Sequence, residues 1–559
     1  MAENYTSWKS AGGNNADHIG GNGYEFSYTD ENGEKKSIQV DYGSLFSKKE
    51  ETGYDCFIPT MPKCDDILIT HGHADHIGGI PHLLNMKREE LAAKRENGEN
   101  LTIHCTAFAE KMIKNNLTGS GIPKEEFPEF DIIEPGKPFE VNGFKVEPFA
   151  VSHSIPEAVG FVIESPDGTR VMTTGDFKTA QVPLGQGWDD EKVGEIASKG
   201  IDYLFIDSTS AVQQGETIGE AQVKDGLKEI LKNSQGGPVI SGVISSSCHR
   251  LHTVATALAE EALEKAAKEG PDAEPKPRTM ILDGASVIAA RRALNACGYN
   301  LESLIKEETG VNIEIVASNT KRALQIPPEE RFYVCTGTQG EEASLLKIAE
   351  GRNKNVSLEE MRSSSEAGEK TPIYVYDLQS CIPGSEETHQ ALEEKFKEQG
   401  CTTYFPSRYK PNKYTVHASG HAGAGDVARI CRVVSEHSPR PTMVVPIHGD
   451  PAQRRNVMKI AQDNGLNACI VPNMAEMKMP KDGRPVWQGN RKSEEWIGVN
   501  DINNDFRRPY FRYDKILMNT ETQERRKIGY YKYKRPVRRR EEDKKNLVAA
   551  KMALKGGRM

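Results

Sequence analysis

The sequence has no CxxC pair among its ten cysteines, and no stretch that approaches 18 apolar residues in a row. The first absence argues against a zinc ribbon and a secreted disulfide framework, leaving reduced thiols in a cytoplasmic setting as the expectation. The second excludes a membrane-spanning helix. The opening residues, MAENYTSWKS, lack an apolar core of the signal-peptide kind. The glycosylation-type sequons at Asn4, Asn116 and Asn355 are therefore expected to be accidental. Aromatic residues are sparse at 7% and hydrophobic residues stand at 37%, low but sufficient for a globular chain of 559 residues to bury its own core. That length predicts two to four domains.

Charge is unevenly spread. The total is −9, yet residues 521–559 hold 14 Lys+Arg against 5 Asp+Glu, a net of +9, so the remainder carries −18. An acidic body with a basic tail points to a polyanionic partner met by the tail, nucleic acid first. Tyr530-Tyr531-Lys532-Tyr533-Lys534-Arg535 adds rings suited to stacking on single-stranded bases. A solvated tail with no partner is the competing expectation.

Short β-branched runs alternate with helical stretches from about residue 20. SIQVDYG, DILIT, FKVEPFAVSH, TRVMTTGD and DYLFIDST read as strands, and IPHLLNMKREELAAK as a helix. Several strands deliver a polar residue at their end: Asp41, His71, His153, Asp176 and Asp207. Beyond Asp207, helices over 218–232 and 251–269 and further strand–helix alternation to about 348 predict a second α/β module. The polar stretch EGRNKNVSLEEMRSSSEAGEK reads as the linker that closes it, and strands resume at PIYVYDL and PTMVVPIHGD.

The densest chemical signal is His71-Gly72-His73-Ala74-Asp75-His76, directly after DILIT. Four ligand-type side chains fall within six residues, separated by small residues that let the backbone turn. Imidazoles with a carboxylate suit Zn²⁺ or a neighbouring first-row ion such as Mn²⁺. Four ligands do not complete two metal sites, so His153, Asp176 and His448 are the expected completers.

The run resembles the HxHxDH loop of the metallo-β-lactamase superfamily. THGHADHIGGIPHLL, VSHSIPEAVGF, TTGDFK and FIDST are similar to successive motifs of the β-CASP nucleases, and SSSCHRLHT, CTGTQGE, SCIPGSE, HASGHA and VPIHGD to those of the ribonuclease J family, over roughly residues 16–480. The resemblance implies an α/β fold: a metallo-β-lactamase αββα sandwich from 1–211 and 370–485, an inserted β-CASP domain at 212–369, and a C-terminal region with a basic tail at 486–559. It implies two divalent metal ions, zinc first and manganese second. His71, His73 and His153 would hold one, Asp75, His76 and His448 the other, and Asp176 would bridge them. Asp41 and Asp207 would support the ligands from behind. Asp75, His76, Asp176 and His421 would be catalytic, with His421 placed to protonate the leaving oxygen. Ser246, His417, Ser419, Gly420 and His421 would cradle a nucleotide phosphate.

The activity so implied is hydrolysis of RNA phosphodiesters, 5′→3′ exonucleolytic with some endonucleolytic cutting, on single-stranded RNA with a 5′-monophosphate end. A cytoplasmic homodimer or homotetramer with no membrane contact completes the picture. The alternatives are a β-CASP endonuclease acting at RNA 3′ ends or on DNA, a non-catalytic RNA-binding homologue, and a small-molecule hydrolase, which would not need the inserted domain. Two positions depart from the family pattern, Ser247 where asparagine is usual and Asp450 where glutamate is usual. Nothing readable beyond about 490 matches the family's C-terminal domain.

Overall fold

Side-chain alternation along single strands locates the core. In the computed structural model of the chain, the strand Tyr203–Asp207 turns Tyr203 and Phe205 to one face and Leu204 and Ile206 to the other, all of them buried. A strand that is apolar on both faces must lie between two layers. The structure describes residues 4–14, 19–47, 49–234, 237–363, 371–381, 385–407, 412–481, 485–488, 493–501, 511–519 and 525–530.

Among these residues, an eight-stranded and a seven-stranded sheet stack face to face. Trp8 and Phe26 of the first sheet meet Phe205 of the second, with ring centroids at 4.8 and 5.6 Å. Helices cover both outer faces. Ile80–Met86 and Ala107–Gly119 pack Leu83 and Ile113 on the first sheet. Asp190–Ser198, Ala424–His437 and Pro451–Asp463 pack Ile196, Val434 and Val457 on the second. In the second sheet Arg170–Thr173, Tyr203–Asp207 and Met443–Ile447 run parallel and adjacent, so the loops carrying Asp176, Asp207 and His448 leave from the same edge.

A third, six-stranded sheet is parallel throughout, in the order Ile315–Ala317, Thr279–Asp283, Arg331–Cys335, Val239–Gly242, Tyr374–Asp377, Thr402–Tyr404. This corrects the expected return to the core at residue 370. Tyr374–Asp377 pairs with Val239–Gly242, and Thr402–Tyr404 pairs with Tyr374–Asp377. The inserted unit therefore continues through Tyr404. The polar stretch before 370 misled because it is partly a surface helix, Leu358–Ser363, whose Leu358 and Met361 are buried with Val356 in the cap's core. Two other expectations change. The helix expected from Ile80 breaks at Lys87 into Ile80–Met86 and Arg88–Glu96, and the helix expected from 251 starts at Cys248.

The region past 486 is not a separate appendage. Ser493–Asp501 pairs antiparallel with Cys56–Ile58, then Phe511–Asn519 and Arg525–Tyr530 follow, giving a five-stranded sheet closed by Leu45–Phe46. The start of the basic tail is thus a strand, and residues 531–559 lie outside the described residues.

Phe205 sits at the centre of the inter-sheet core with 0% exposure. Phe205→Ala is expected to lower unfolding stability by about 3–5 kcal/mol through lost transfer energy and a cavity, read as a drop in the urea midpoint with unchanged slope.

Candidate metal centre

Three imidazoles converge at one point. His71 Nε2 and His153 Nε2 each lie 3.0 Å from His73 Nδ1. Gly72 lets this happen, since a Cβ there would meet the Met112 side chain at 2.8 Å. The outward nitrogens are tied down. His153 Nδ1 donates to the Gly420 carbonyl at 2.7 Å, and His71 Nδ1 lies 3.0 Å from Thr70 Oγ1. Fixing one nitrogen turns the other's lone pair toward the shared point. Burial, followed by the neighbouring imidazoles, holds His71 and His153 well below the ordinary histidine range, so both are neutral donors.

Beside them lies a second group, Asp75, His76, Asp176 and His448, whose donor atoms fall within 4.8 Å of one another. His76 Nδ1 donates to Asp41 Oδ2 at 2.8 Å, leaving Nε2 toward Asp176 Oδ2 at 3.1 Å. His448 Nε2 lies 3.1 Å from Asp75 Oδ2, and its Nδ1 meets the Thr209 hydroxyl. Burial works against charge on His76 and His448. The surrounding carboxylates outweigh it and raise both, His448 to about 10. Asp176 is 2% exposed and its Oδ1 accepts no hydrogen bond. Facing lone pairs and an unsatisfied buried carboxylate oxygen fit divalent cations, which need anionic and neutral donors without protons.

Asp41 and Asp207 stand behind these groups rather than within the first two. Asp41 also accepts from Thr70 N at 2.9 Å, linking the His76 and His71 sides of the loop. Asp207 Oδ2 accepts from His421 Nδ1 at 2.8 Å, while its Oδ1 accepts from Thr209 N and Oγ1 at 2.9 and 2.7 Å. Burial opposes the His421 proton, but Asp207 and Asp176 raise its affinity above the ordinary value. His421 thus carries its proton-binding dyad beside Asp176, with Nδ1 committed and Nε2 unpartnered among the described residues.

His76, Asp176 and His448 border a small space of their own with Asp41 and Thr70, while His73, Asp75 and His153 line a cleft of about 1720 Å³. Ser246, His417, Ser419, Gly420 and His421 all line it. Part of the opposite wall comes from loops leaving the C-terminal ends of cap strands, among them Ile244, Glu341 and Gln379. Open parallel sheets present ligands at that edge. Ser246 and Ser247 precede the helix Cys248–Glu269. Lys178 Nζ donates to the Ser419 carbonyl at 2.9 Å, and with the His153–Gly420 bond it moors this segment to the metal groups. Asp450 has its own explanation: it caps the helix Pro451–Asp463, accepting from Ala452 N and Gln453 N.

Sequence reasoning missed Thr70, Thr209, Asn22 and Lys178. Asn22 Nδ2 lies 3.0 Å from His76 Nε2. Thr70 and Lys178 sit inside motifs already singled out, and their positions beside His71 and Asp176 were the available signal.

Together, the sandwich and the histidine–aspartate groups at its strand ends define a metallo-β-lactamase fold built to bind divalent metals. A family model described as a beta-lactamase superfamily domain matches residues 56–235. Over most of its length the chain resembles ribonuclease J. It is 27% identical over 436 residues to "Ribonuclease J" of Mycobacterium tuberculosis (strain ATCC 25618 / H37Rv), covering 76% of this chain and 67% of that protein. It is 28% identical over 479 residues to "Ribonuclease J 1" of Streptococcus pyogenes serotype M3, covering 84% and 74%. It is 27% identical over 459 residues to "Ribonuclease J" of Sinorhizobium meliloti, covering 80% and 69%. Among the described residues, no helix is long and apolar enough to cross a membrane.

Asp41→Ala removes the acceptor that orients His76 and braces Thr70. It should weaken Zn²⁺ binding about 10–100-fold, measured by chelator competition on the purified protein. Unchanged affinity would show that the histidine loop holds itself.

Proposed function

We propose that the chain is a metal-dependent ribonuclease that hydrolyses phosphodiesters of single-stranded RNA. The observation that carries this reading is the pair of donor groups, one three-histidine and one mixed, which reach through His73, His153 and Asp75 into a cleft of about 1720 Å³ walled in part by a second domain. A small-molecule hydrolase has no use for such a wall. The resemblance to proteins named ribonuclease J selects RNA among polymers.

In this reading His71, His73 and His153 hold one divalent ion, Asp75, His76 and His448 hold a second, and Asp176 serves both. Zn²⁺ suits the imidazole-rich set best, with Mn²⁺ next. When bound, such ions supply Lewis-acid polarisation of the phosphate and a nucleophilic water at neutral pH. The protein's residues do the rest. Asp41, Thr70, Thr209 and the Gly420 carbonyl fix the tautomers of His76, His71, His448 and His153. Asp207 holds His421 protonated at Nδ1 and raises its proton affinity, so His421 is suited to hand a proton to the departing ribose oxygen or to neutralise charge on the phosphoryl group. Ser246, His417, Ser419 and Gly420 bind the terminal phosphate, which favours a 5′-monophosphate end and 5′→3′ exonucleolysis. Lys178 keeps that segment at a fixed distance from the ions.

The direct test is incubation of labelled 5′-monophosphorylated and 5′-hydroxyl RNA with the purified protein, with and without Zn²⁺ or Mn²⁺. Mononucleotide release from the monophosphorylated substrate alone is the expected result; internal fragments from both would shift the reading to an endonuclease. Asp75→Ala or His76→Ala should abolish cleavage with the fold intact. His421→Ala should keep both metals by elemental analysis while losing roughly 10²–10⁴-fold in rate, the range for a positioned acid or base. A metal lost with His421 would make it a ligand and remove its proposed role.

A further inference from the structure

The C-terminal meander forms a wall of the cleft. Its strand Ser493–Asp501 is registered on Cys56–Ile58, with Ile497 opposite Ile58. One face of the sheet joins the core: Ile497, Val499 and Tyr513 pack with the helices on the first sheet, and Tyr513 lies 3.3 Å from His82 Nδ1. The other face is a separate cluster of Leu45, Phe57, Trp496, Ile516 and Met518, and all five line the cleft. It abuts the metal loop, because Gly20 sits against both Leu45 and Asp75, and Gly21 against Trp496.

Arg525 lies on this wall, in register with Met518 and with its guanidinium 5.5 Å from the centre of the Phe57 ring. It is the only lysine or arginine among the described residues that line the cleft, whereas Glu51, Glu216, Glu341 and Asp450 line it with negative charge. Its neighbours on the meander are spoken for: Arg512 and Lys527 pair with the buried Asp514 at 3.0 and 2.6 Å. Among the described residues no carboxylate pairs with Arg525. A guanidinium steadied on an aromatic face, unpaired, in an otherwise acidic cleft is placed to bind an anion.

We propose that Arg525 binds a backbone phosphate of the RNA strand, making the C-terminal meander a substrate-binding wall distinct from the terminal-phosphate segment around Ser419. The inference rests on the ribonuclease reading above. It predicts a dependence on substrate length, since only a strand long enough to run along the wall reaches Arg525.

The test uses the full chain loaded with Zn²⁺ or Mn²⁺ and a length series of 5′-monophosphorylated single-stranded RNAs. Arg525→Met keeps the apolar stem on Phe57 and removes the charge. It should raise KM for long RNAs about tenfold, the size of one charge-assisted hydrogen bond, with kcat and the KM of the shortest substrates unchanged. The slope of log affinity against log salt should become shallower by about 0.7, one phosphate contact on a single strand. Arg525→Lys should recover the slope and part of the affinity, and it carries the test should the methionine variant fold poorly. Arg526→Gln, on an exposed residue outside the cleft, should change neither. Wild-type cleavage with the same KM and salt slope in Arg525→Met overturns this inference alone. Absence of RNA cleavage and RNA binding by the loaded wild type overturns the ribonuclease reading and this inference with it.

Discussion

Three imidazole nitrogens, those of the buried His71 and His153 each 3.0 Å from that of the half-buried His73, are the constraint on which the rest of the site depends. Protonating any one of them would place a charge against the others in a desolvated pocket, so the set is held neutral. Neutrality alone does not aim a lone pair. Each ring needs a partner on its far side, and the partners differ: a threonine hydroxyl for His71, a backbone carbonyl for His153, the Ser154 hydroxyl at 3.4 Å for His73 and, in the second group, a carboxylate for His76. These partners come from the histidine loop itself, from Ser154 beside His153, from the Ser419–His421 segment and from the strand end at Asp41. The imidazole cluster therefore couples elements that are distant in sequence, and moving any one of them would misdirect a ligand atom.

Delivering those groups strains the backbone locally. Asp41 and His448 both adopt the left-handed region, at φ 57° and 52°. For residues other than glycine this costs on the order of 1–3 kcal/mol each. The cost is sustained because both side chains are pinned on several sides, Asp41 by Thr70 and His76, His448 by Thr209 and Asp75. The same turns carry the chain off its strand and aim the polar residue back over the edge. Glycines at 72, 175 and 420 solve the related problem of close approach. At Gly420 a Cβ would lie 2.7 Å from His153, so a side chain there would displace a ligand-bearing ring.

That these histidines and aspartates converge was legible in the sequence because His71, His73, Asp75 and His76 fall within six residues, and because His153, Asp176 and His448 each end an apolar run that reads as a strand. Thr209 and Asn22 were not, since their roles come only from tertiary contact, Thr209 meeting His448 across 239 residues and Asn22 meeting His76 across 54. The cap was legible as strand–helix alternation, but its end was not. A polar stretch looks alike whether it links domains or forms a solvent-facing helix, and only the burial of Leu358 and Met361 separates the two. The meander past 486 was illegible for a different reason. SEEWIGVND and FRYDKILMN carry charges among their apolar positions, and the strand that templates them, Cys56–Ile58, lies near the opposite end of the chain.

Electrostatics joins the metal centre to the cleft around it. Asp75 and the glutamates at 51, 216 and 341 give the lining an excess of carboxylates, and Arg525 is the one arginine or lysine against them among the described residues. A polyanion entering such a surface is repelled until the local field changes sign. Divalent ions held by the two donor groups would be the largest local charges and would reverse that field where the scissile phosphate must sit. Metal occupancy and polyanion binding are then linked at the centre, with the phosphate drawn to the ions rather than to a general basic surface. A cleft organised in this way favours a phosphate at the ions, with Arg525 a second attractive point and carboxylates elsewhere in the lining. Positional discrimination of that kind comes from the contrast between centre and wall, which a uniformly basic groove cannot provide.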